Sequence, residues 1–481
     1  MQKNALSPLL TAQPVMRRAF LQQSAMGLGS IALHSLLKSE ASGASDLGTA
    51  SSVALPHFAP KAKRVIFLFM AGGPSHVDLF DPKPALREWD GKDIPRELLR
   101  DHQSFALIRG TPKLKGSPRV FTRHGQSGIA MSDLLPHLAT VADELTVVRS
   151  LKTSTNVHDP AVNVMNCGSP MFDRPTMGAW LSYGLGSVNR DLPSYVVLTS
   201  GASDGQPLLQ SFWGNGFLES KHQGVPFLNQ GPPVLHLVNP QGVSAQERRS
   251  QLDLIRWMNE GAHQRVGDPE ILSRVASYEM AFRMQSSVPE LSDLSGEPQS
   301  VLEAYGATPG TSSFANNCLL ARRLAERDVR FIQLYDRGWD SHTDIENEHR
   351  RQCAAVDRPM AALVRDLKER GLLEDTLVVW GGEFGRTPVA QVSGKTWGRD
   401  HHPHAFTMWL AGGGTKPGFT YGSTDEFGYH AAENAVPVRD MHATLLHLLG
   451  IDHSRFSFLL QGLEMRLTGV EEARVVRDLL A

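Results

Sequence analysis

Three apolar runs, far apart in the chain, each empty into residues of the types that hold metals and move protons. Val65-Ile66-Phe67-Leu68-Phe69-Met70 leads to Gly72, Gly73, His76 and Asp78. Val329 to Leu334 leads to Asp336, Asp340 and His342, while Leu377-Val378-Val379-Trp380 leads to Glu383 and, past a loop, to Asp400, His401, His402 and His404. Imidazole is largely neutral at pH 7 and is the commonest metal-ligand side chain, so the clustering of the 19 histidines matters more than their number. His76, Asp78, Asp340, His342, Glu383, His401 and His402 are the candidate ligands. Mixed carboxylates and imidazoles suit a divalent ion, zinc or manganese first and calcium as a further option.

Each of these residues also has a reading without chemistry. His76 and Asp78 follow a Gly-Pro loop and could cap a turn. His342 alone would read as a surface histidine; Asp340 two residues earlier favours a ligand pair. The histidines at 401, 402 and 404 could form a solvated tip, although Arg399 and Asp400 beside them point to an anion and metal locus. Arg386 could bind an anionic substrate or pair with a carboxylate, and His442 and His447 read as packing residues of an apolar helix.

The elements that must position these groups are legible from the runs themselves. They are short, β-branched or aromatic, and bounded by Gly or Asp, which predicts buried strands of a parallel sheet. In such sheets the ligand crevice lies beyond the carboxyl ends of the strands, where the candidate residues would meet. Leu145 to Val148 and Ser194 to Leu198 predict two further strands. The first leads through Ser154, Thr155 and His158 to Asp159-Pro160, a pairing that suits a helix start, and a helix N-terminus beyond a strand favours anions. Helices are predicted over 315–327 and 353–370, the latter closed by Gly371. The fold class is therefore α/β, a doubly wound, mainly parallel sheet flanked by helices. A Gly, Pro and Asn-rich stretch from Gly201 to Pro233, with amphipathic helices at 247–260 and 269–284, predicts an inserted helical cap region over 201–307.

Composition narrows the partners. Lys plus Arg is 48 against 50 for Asp plus Glu, so no global field favours nucleic acid, and any anion recognition must be local. Cys167, Cys318 and Cys353 have no CxxC spacing, which leaves a cysteine-ligated zinc site unsupported. Residues 1–50 read as targeting: Arg17-Arg18 with Phe20 and Leu21 precede a mildly apolar stretch, Ala25 to Leu37, too short and polar for a stable membrane span. This resembles a twin-arginine export signal, with cleavage among the small residues 41–50. The expected partner is the twin-arginine export machinery, and the expected location is periplasmic or otherwise exported in a bacterium.

Gly72-Gly73-Pro74-Ser75-His76-Val77-Asp78, Gly338-Trp339-Asp340-Ser341-His342, Gly382-Glu383-Phe384-Gly385-Arg386 and Gly398-Arg399-Asp400-His401-His402-Pro403 together resemble an exported, sulfatase-like family catalogued as domain of unknown function 1501. That family belongs with the alkaline phosphatase superfamily, and the resemblance spans residues 51–481. It implies one or two divalent-metal sites at the strand ends, clamping a phosphate or sulfate ester beside a nucleophile. Two departures from the superfamily pattern stand out. Glu383-Phe384 occupies the place of an adjacent Asp and His, and Cys167-Gly168-Ser169-Pro170 lacks the context for formylglycine formation.

The superfamily places its nucleophile in the segment that here offers Ser154, Thr155, Asn156 and His158. Thr155 or Ser154 could be activated by metal coordination, and His158 could be a ligand or a general base; otherwise a water at the metal attacks. The expected function is an exported metal-dependent hydrolase of phosphate or sulfate esters, its substrate an anionic small molecule or glycan ester. Two rivals remain: an inactive protein that binds an anionic glycan, and a metal-assisted transferase or isomerase on the same scaffold.

Overall fold

All eight residues of Arg64–Ala71 (β1) are buried, and so are all six of Thr376–Gly381 (β6), as strands covered on both faces must be. Between them in the sequence come Leu145–Lys152 (β2), Tyr195–Gly201 (β3), Val225–Phe227 (β4) and Phe331–Arg337 (β5); after them come Phe406–Ala411 (β7), Phe419–Tyr421 (β8) and Val436–Pro437 (β9). These nine strands form one sheet in the order β8-β2-β7-β6-β1-β5-β3-β4, with β9 also pairing β2. Every pairing is parallel except those of β7, which runs antiparallel to both β2 and β6. The mainly parallel, helix-flanked sheet expected from the sequence is thus present, with one reversed strand inside it.

The computed structural model describes residues 55–99, 111–201, 206–228, 231–235 and 237–481. The twin-arginine segment lies outside the described residues. Two compact units divide the chain, one of them Val53–Ser457 with Met465–Ala481. The described part of the other, Phe458–Glu464, holds a strand, Phe458–Leu460, a tight turn with Gln461 and Gly462 at positive φ, and the start of the strand Leu463–Met465. No helix among the described residues is long and apolar enough to cross a membrane.

Helices cover the sheet near the predicted spans, with one, Met177–Leu185, outside any of them and one that begins at Ile345 instead of 353. His158–Cys167 (α1) follows β2, Met177–Leu185 (α2) precedes β3, Phe314–Glu326 (α5) feeds β5, and Ile345–Glu369 (α6) joins β5 to β6. Within 201–307 the helices Ala245–Val266 (α3) and Pro269–Ser292 (α4) run longer than the sequence pattern indicates. A capping box between Ser244 and Glu247 sets the start of α3, and Gly267 in the left-handed conformation ends it. The two helices are laced by Arg249 and Arg256 on Glu279. No residue of 201–307 hydrogen-bonds the metal-ligand cluster described below, among the described residues.

Several buried histidines are held neutral, with a consequence for acid stability. His349 accepts from Ser75 N at 3.0 Å and faces Ser341 Oγ at 3.2 Å, and burial pushes its pKa down to about 3. His442, on the helix Val438–Leu448 (α7), donates from Nε2 to Met165 O at 2.7 Å, and burial pushes it down to about 4. The unfolded chain takes up these protons near pH 6.5 and the folded chain only near 3 to 4, so stability falls as pH drops through that window. Each group should cost about 2 kcal/mol at pH 5 relative to pH 7.5. Urea melts in the presence of a chelator should show stability rising from pH 4.5 to 6.5; a flat profile would refute the assignment.

Candidate metal centre

Because β1, β2, β5 and β6 all point the same way, their carboxyl ends share one edge of the sheet. β2 leads through a five-residue loop to His158, the first residue of α1; β5 leads to Asp340 and His342; β6 leads to Glu383. His401 reaches the same edge ahead of the reversed strand β7, on a two-residue strand where it pairs with Arg386. Close passage of these loops needs glycine at Gly72, φ +122°, where a Cβ would lie 2.4 Å from Asp340 N.

One ligand atom from each of His158, Asp340, His342 and His401 lies within 4.8 Å of all the others. His342 Nε2 is 2.9 Å and His401 Nε2 3.1 Å from Asp340 Oδ1, and the two imidazole nitrogens are 2.9 Å apart. His158 Nε2 is 3.2 Å from Asp340 Oδ2, within ion-pair reach but without hydrogen-bond geometry. The outer nitrogens all have acceptors: His158 Nδ1 on Glu383 Oε1 at 2.7 Å, His342 Nδ1 on Gln391 Oε1 at 2.7 Å, and His401 Nδ1 on Asn156 O at 2.8 Å.

A carboxylate and a carbonyl can only accept, so in their neutral forms His158 and His401 carry the proton on Nδ1 and present bare Nε2 atoms inward; Gln391 Oε1 does the same for neutral His342. Three nitrogen lone pairs and a carboxylate then face one another at about hydrogen-bond distance. Only a proton or a cation can reconcile them. Zinc, with bonds of about 2.0–2.2 Å to nitrogen and oxygen, fits this donor set after small adjustments, and imidazole with carboxylate also suits manganese. The side chain of Asp340 is 30% exposed, which leaves the centre open on one side.

The electrostatics agree with that reading. Burial disfavours the charged form of His158, but the Asp340 and Glu383 carboxylates override it and lift its pKa to about 9. Burial would raise the Asp340 carboxyl, yet the three histidines against it and the nearby Arg386 hold it far below the usual carboxylate range. Burial lowers His401 to about 4 against the pull of Asp340. An ion held by these residues would take the place of the second proton of His158.

Not every candidate from the sequence joins this cluster. Glu383 is fully buried behind His158, its Oε1 shared between His158 Nδ1 and Gly72 N at 2.9 Å, so it orients a ligand from the outer side. Asp78 forms a buried ion pair with Arg399 at 2.7 Å and accepts from Ser75 Oγ; burial would raise its carboxyl, but Arg399 holds it down at about 2. His76 is bonded through Nε2 to Gly428 O at 2.8 Å, and His402 is bonded through Nε2 to Tyr429 O. His76, Asp78 and His402 thus lie outside the four-residue cluster, and His76 Nδ1 is buried with no hydrogen-bond partner among the described residues.

Arg386, for which the sequence leaves two roles open, pairs in the structure with a carboxylate, that of Asp340. Fully buried, it donates to Gly72 O, to Gly73 O at 2.9 Å, to Arg399 O at 3.0 Å, to Trp339 O at 3.2 Å and to Asp340 Oδ1 at 2.7 Å. Its planar fork ties three motif loops together and aims Asp340. Phe384, also fully buried, packs its ring 5.0 Å from that of His158 and 4.6 Å from that of His401, and so forms an apolar wall of the centre.

In the loop before α1, Ser154 is exposed and Thr155 half-buried, with Thr155 Oγ1 accepting from Val157 N at 3.3 Å. The loop is fastened to the 401–403 segment by Thr153 N on Pro403 O at 2.9 Å and by the Asn156 carbonyl on His401. Sequence reasoning missed Gln391 and the Asn156 carbonyl. The former sits in an ordinary polar hairpin between two motifs, and the latter is main chain.

The family model for proteins of unknown function named DUF1501 matches residues 62–480. No curated protein matches the sequence. Among solved structures, a protein in the alkaline phosphatase superfamily from Vibrio parahaemolyticus is similar at 13% identity and a TM-score of 0.35, over 84% of this chain and 69% of that one. The PsFucS1 sulfatase from Pseudoalteromonas sp. is similar at 12% identity and a TM-score of 0.33, over 81% and 68%. The C-terminal periplasmic domain of EcEptC from Escherichia coli, in complex with zinc, is similar at 9% identity and a TM-score of 0.34, over 83% and 84%.

Proposed function

Since the chain belongs to the DUF1501 family of proteins of unknown function, we propose its activity from the site: an exported, metal-dependent hydrolase of phosphate or sulfate esters. The observation that carries this reading is the convergence of three imidazole Nε2 atoms on Asp340 at the carboxyl edge of the sheet. His158, Asp340, His342 and His401 would hold the ion. When bound, it would neutralise the charge of an anionic ester and favour attack on it.

The chain's own groups suit that chemistry. No side chain caps the start of α1 at Val157, and with Pro160 lacking an N–H and Ala161 N bonded to Val157 O, the N–H groups of His158 and Asp159 are the ones that would face an anion there. Asp159 in that first turn is engaged by Gln206 Nε2 at 3.2 Å. Thr155 Oγ1 receives the Val157 N–H, and a hydroxyl oxygen that accepts such a bond gives up its own proton more readily. Arg386 fixes Asp340, and Phe384 excludes water from one side of the centre.

The test is turnover. Protein stripped with a chelator should hydrolyse neither p-nitrophenyl phosphate nor p-nitrophenyl sulfate, and added zinc or manganese should restore activity on at least one of them. Metal-loaded protein that cleaves no ester in a broad panel of phosphates and sulfates would sink the hydrolase and leave a binding protein.

A further inference from the structure

The three outer acceptors of the centre differ in kind. Glu383 offers a carboxylate and Asn156 a backbone carbonyl, neither of which can donate, so the tautomers of His158 and His401 are fixed outright. Gln391 offers a side-chain amide, which has a donor end as well as an acceptor end. With Oε1 on Nδ1–H, His342 presents a bare Nε2 to Asp340 and the metal. With the amide turned over, Nδ1 becomes the acceptor, the proton moves to Nε2, and His342 cannot ligate.

We infer that Gln391 is a positioning residue for the metal, selecting the ligating tautomer of His342 and setting the affinity of the centre. This rests on the metal centre proposed above. Gln391 opens a hairpin formed by Gln391–Ser393 and Thr396–Gly398, in which it pairs with Gly398. A Cβ at Gly398 would lie 2.1 Å from the His342 carbonyl carbon, and Arg399 N donates to Ser341 O at 3.1 Å, so the base of the hairpin is pressed onto the ligand loop. Its tip faces solvent, with Val392 73% exposed. The residue that orients His342 thus sits on the surface side of the centre, where substitution leaves the core untouched.

Two substitutions separate the tautomer from mere packing. Gln391→Leu keeps the approximate volume and removes the acceptor; Gln391→Glu keeps an acceptor that cannot turn over. Zinc affinity is read by competition with a chromogenic chelator, and the ligand field by the visible spectrum of the cobalt(II) form. Loss of an outer hydrogen-bond partner of a metal-bound histidine typically costs roughly 10–100-fold in affinity, which is the drop expected for Gln391→Leu with an altered cobalt spectrum. Gln391→Glu should bind at least as tightly as the parent. Affinity of Gln391→Leu within twofold of the parent, or of Gln391→Glu as weak as Gln391→Leu, overturns the role of Gln391 while leaving the centre intact. Should Gln391→Leu fail to fold, Gln391→Glu still decides, since weaker binding than the parent contradicts the inference. A parent that binds no metal overturns the centre and this role with it.

Discussion

Asp340→Ala should release the metal while leaving the fold in place. Asp340 is the one group contacted by all three inner imidazoles, at 2.9, 3.1 and 3.2 Å, and it carries the only negative charge among the four ligands. Apparent binding energies of about 10–16 kcal/mol for four-ligand zinc sites divide into about 3 kcal/mol per ligand, so affinity should fall on the order of 10²-fold or more. Loss of the charge that gathers the three histidines adds to this. Asp340→Asn, which keeps the shape and an acceptor for Arg386, separates the charge from the packing and should also bind weakly. The check is metal content after gel filtration, together with zinc competition. Parental occupancy in both variants would move the metal away from this centre.

The release should not be accompanied by unfolding, because the loops are held independently of the ion. Arg386 keeps four backbone carbonyls when Asp340 is removed, and the Arg399–Asp78 pair lies on other atoms. Those two arginines show why the motif loops hold more ligand-type residues than the cluster gathers. Each motif loop mixes residues that face the cluster with residues that fasten the loop, and both jobs call for Asp, His and Arg. Spacing alone does not separate them where a loop is irregular. It does at His401 and His402: on a short strand, successive side chains point to opposite sides, so His401 turns to Asp340 while His402 turns to the Tyr429 carbonyl.

The strands themselves were legible because burial on both faces writes itself as an unbroken apolar run, as in β1 and β6. The direction of a strand leaves no such trace. Phe406–Ala411 is as fully buried as its neighbours, and nothing in Phe-Thr-Met-Trp-Leu-Ala tells that it runs against them. That reversal is what allows His401, just before β7, to reach the edge where the parallel strands end. Outer-sphere partners are the least legible of all: the Asn156 carbonyl belongs to the main chain, and Gln391 is one polar residue in a hairpin.

The second large effect is expected at Thr155. If the chain is an ester hydrolase, the attacking group has to come from beside the centre, and the loop between β2 and α1 is pinned there through Thr153 and Asn156 on either side of Thr155. Thr155 is half-buried and its oxygen accepts the Val157 N–H, whereas Ser154 is exposed, which favours Thr155. Thr155→Ala should lower kcat on the order of 10⁴-fold or more, as for removal of a nucleophile, with zinc affinity and melting temperature near parental values. Ser154→Ala should keep most activity. Thr155→Ser restores a hydroxyl at the same position and should recover a large part of the rate, an outcome that a purely structural role of the threonine methyl would not produce. Parental turnover in Thr155→Ala would remove the hydroxyl from the chemistry and leave attack to water at the centre, in which case Asp340→Ala alone should abolish activity.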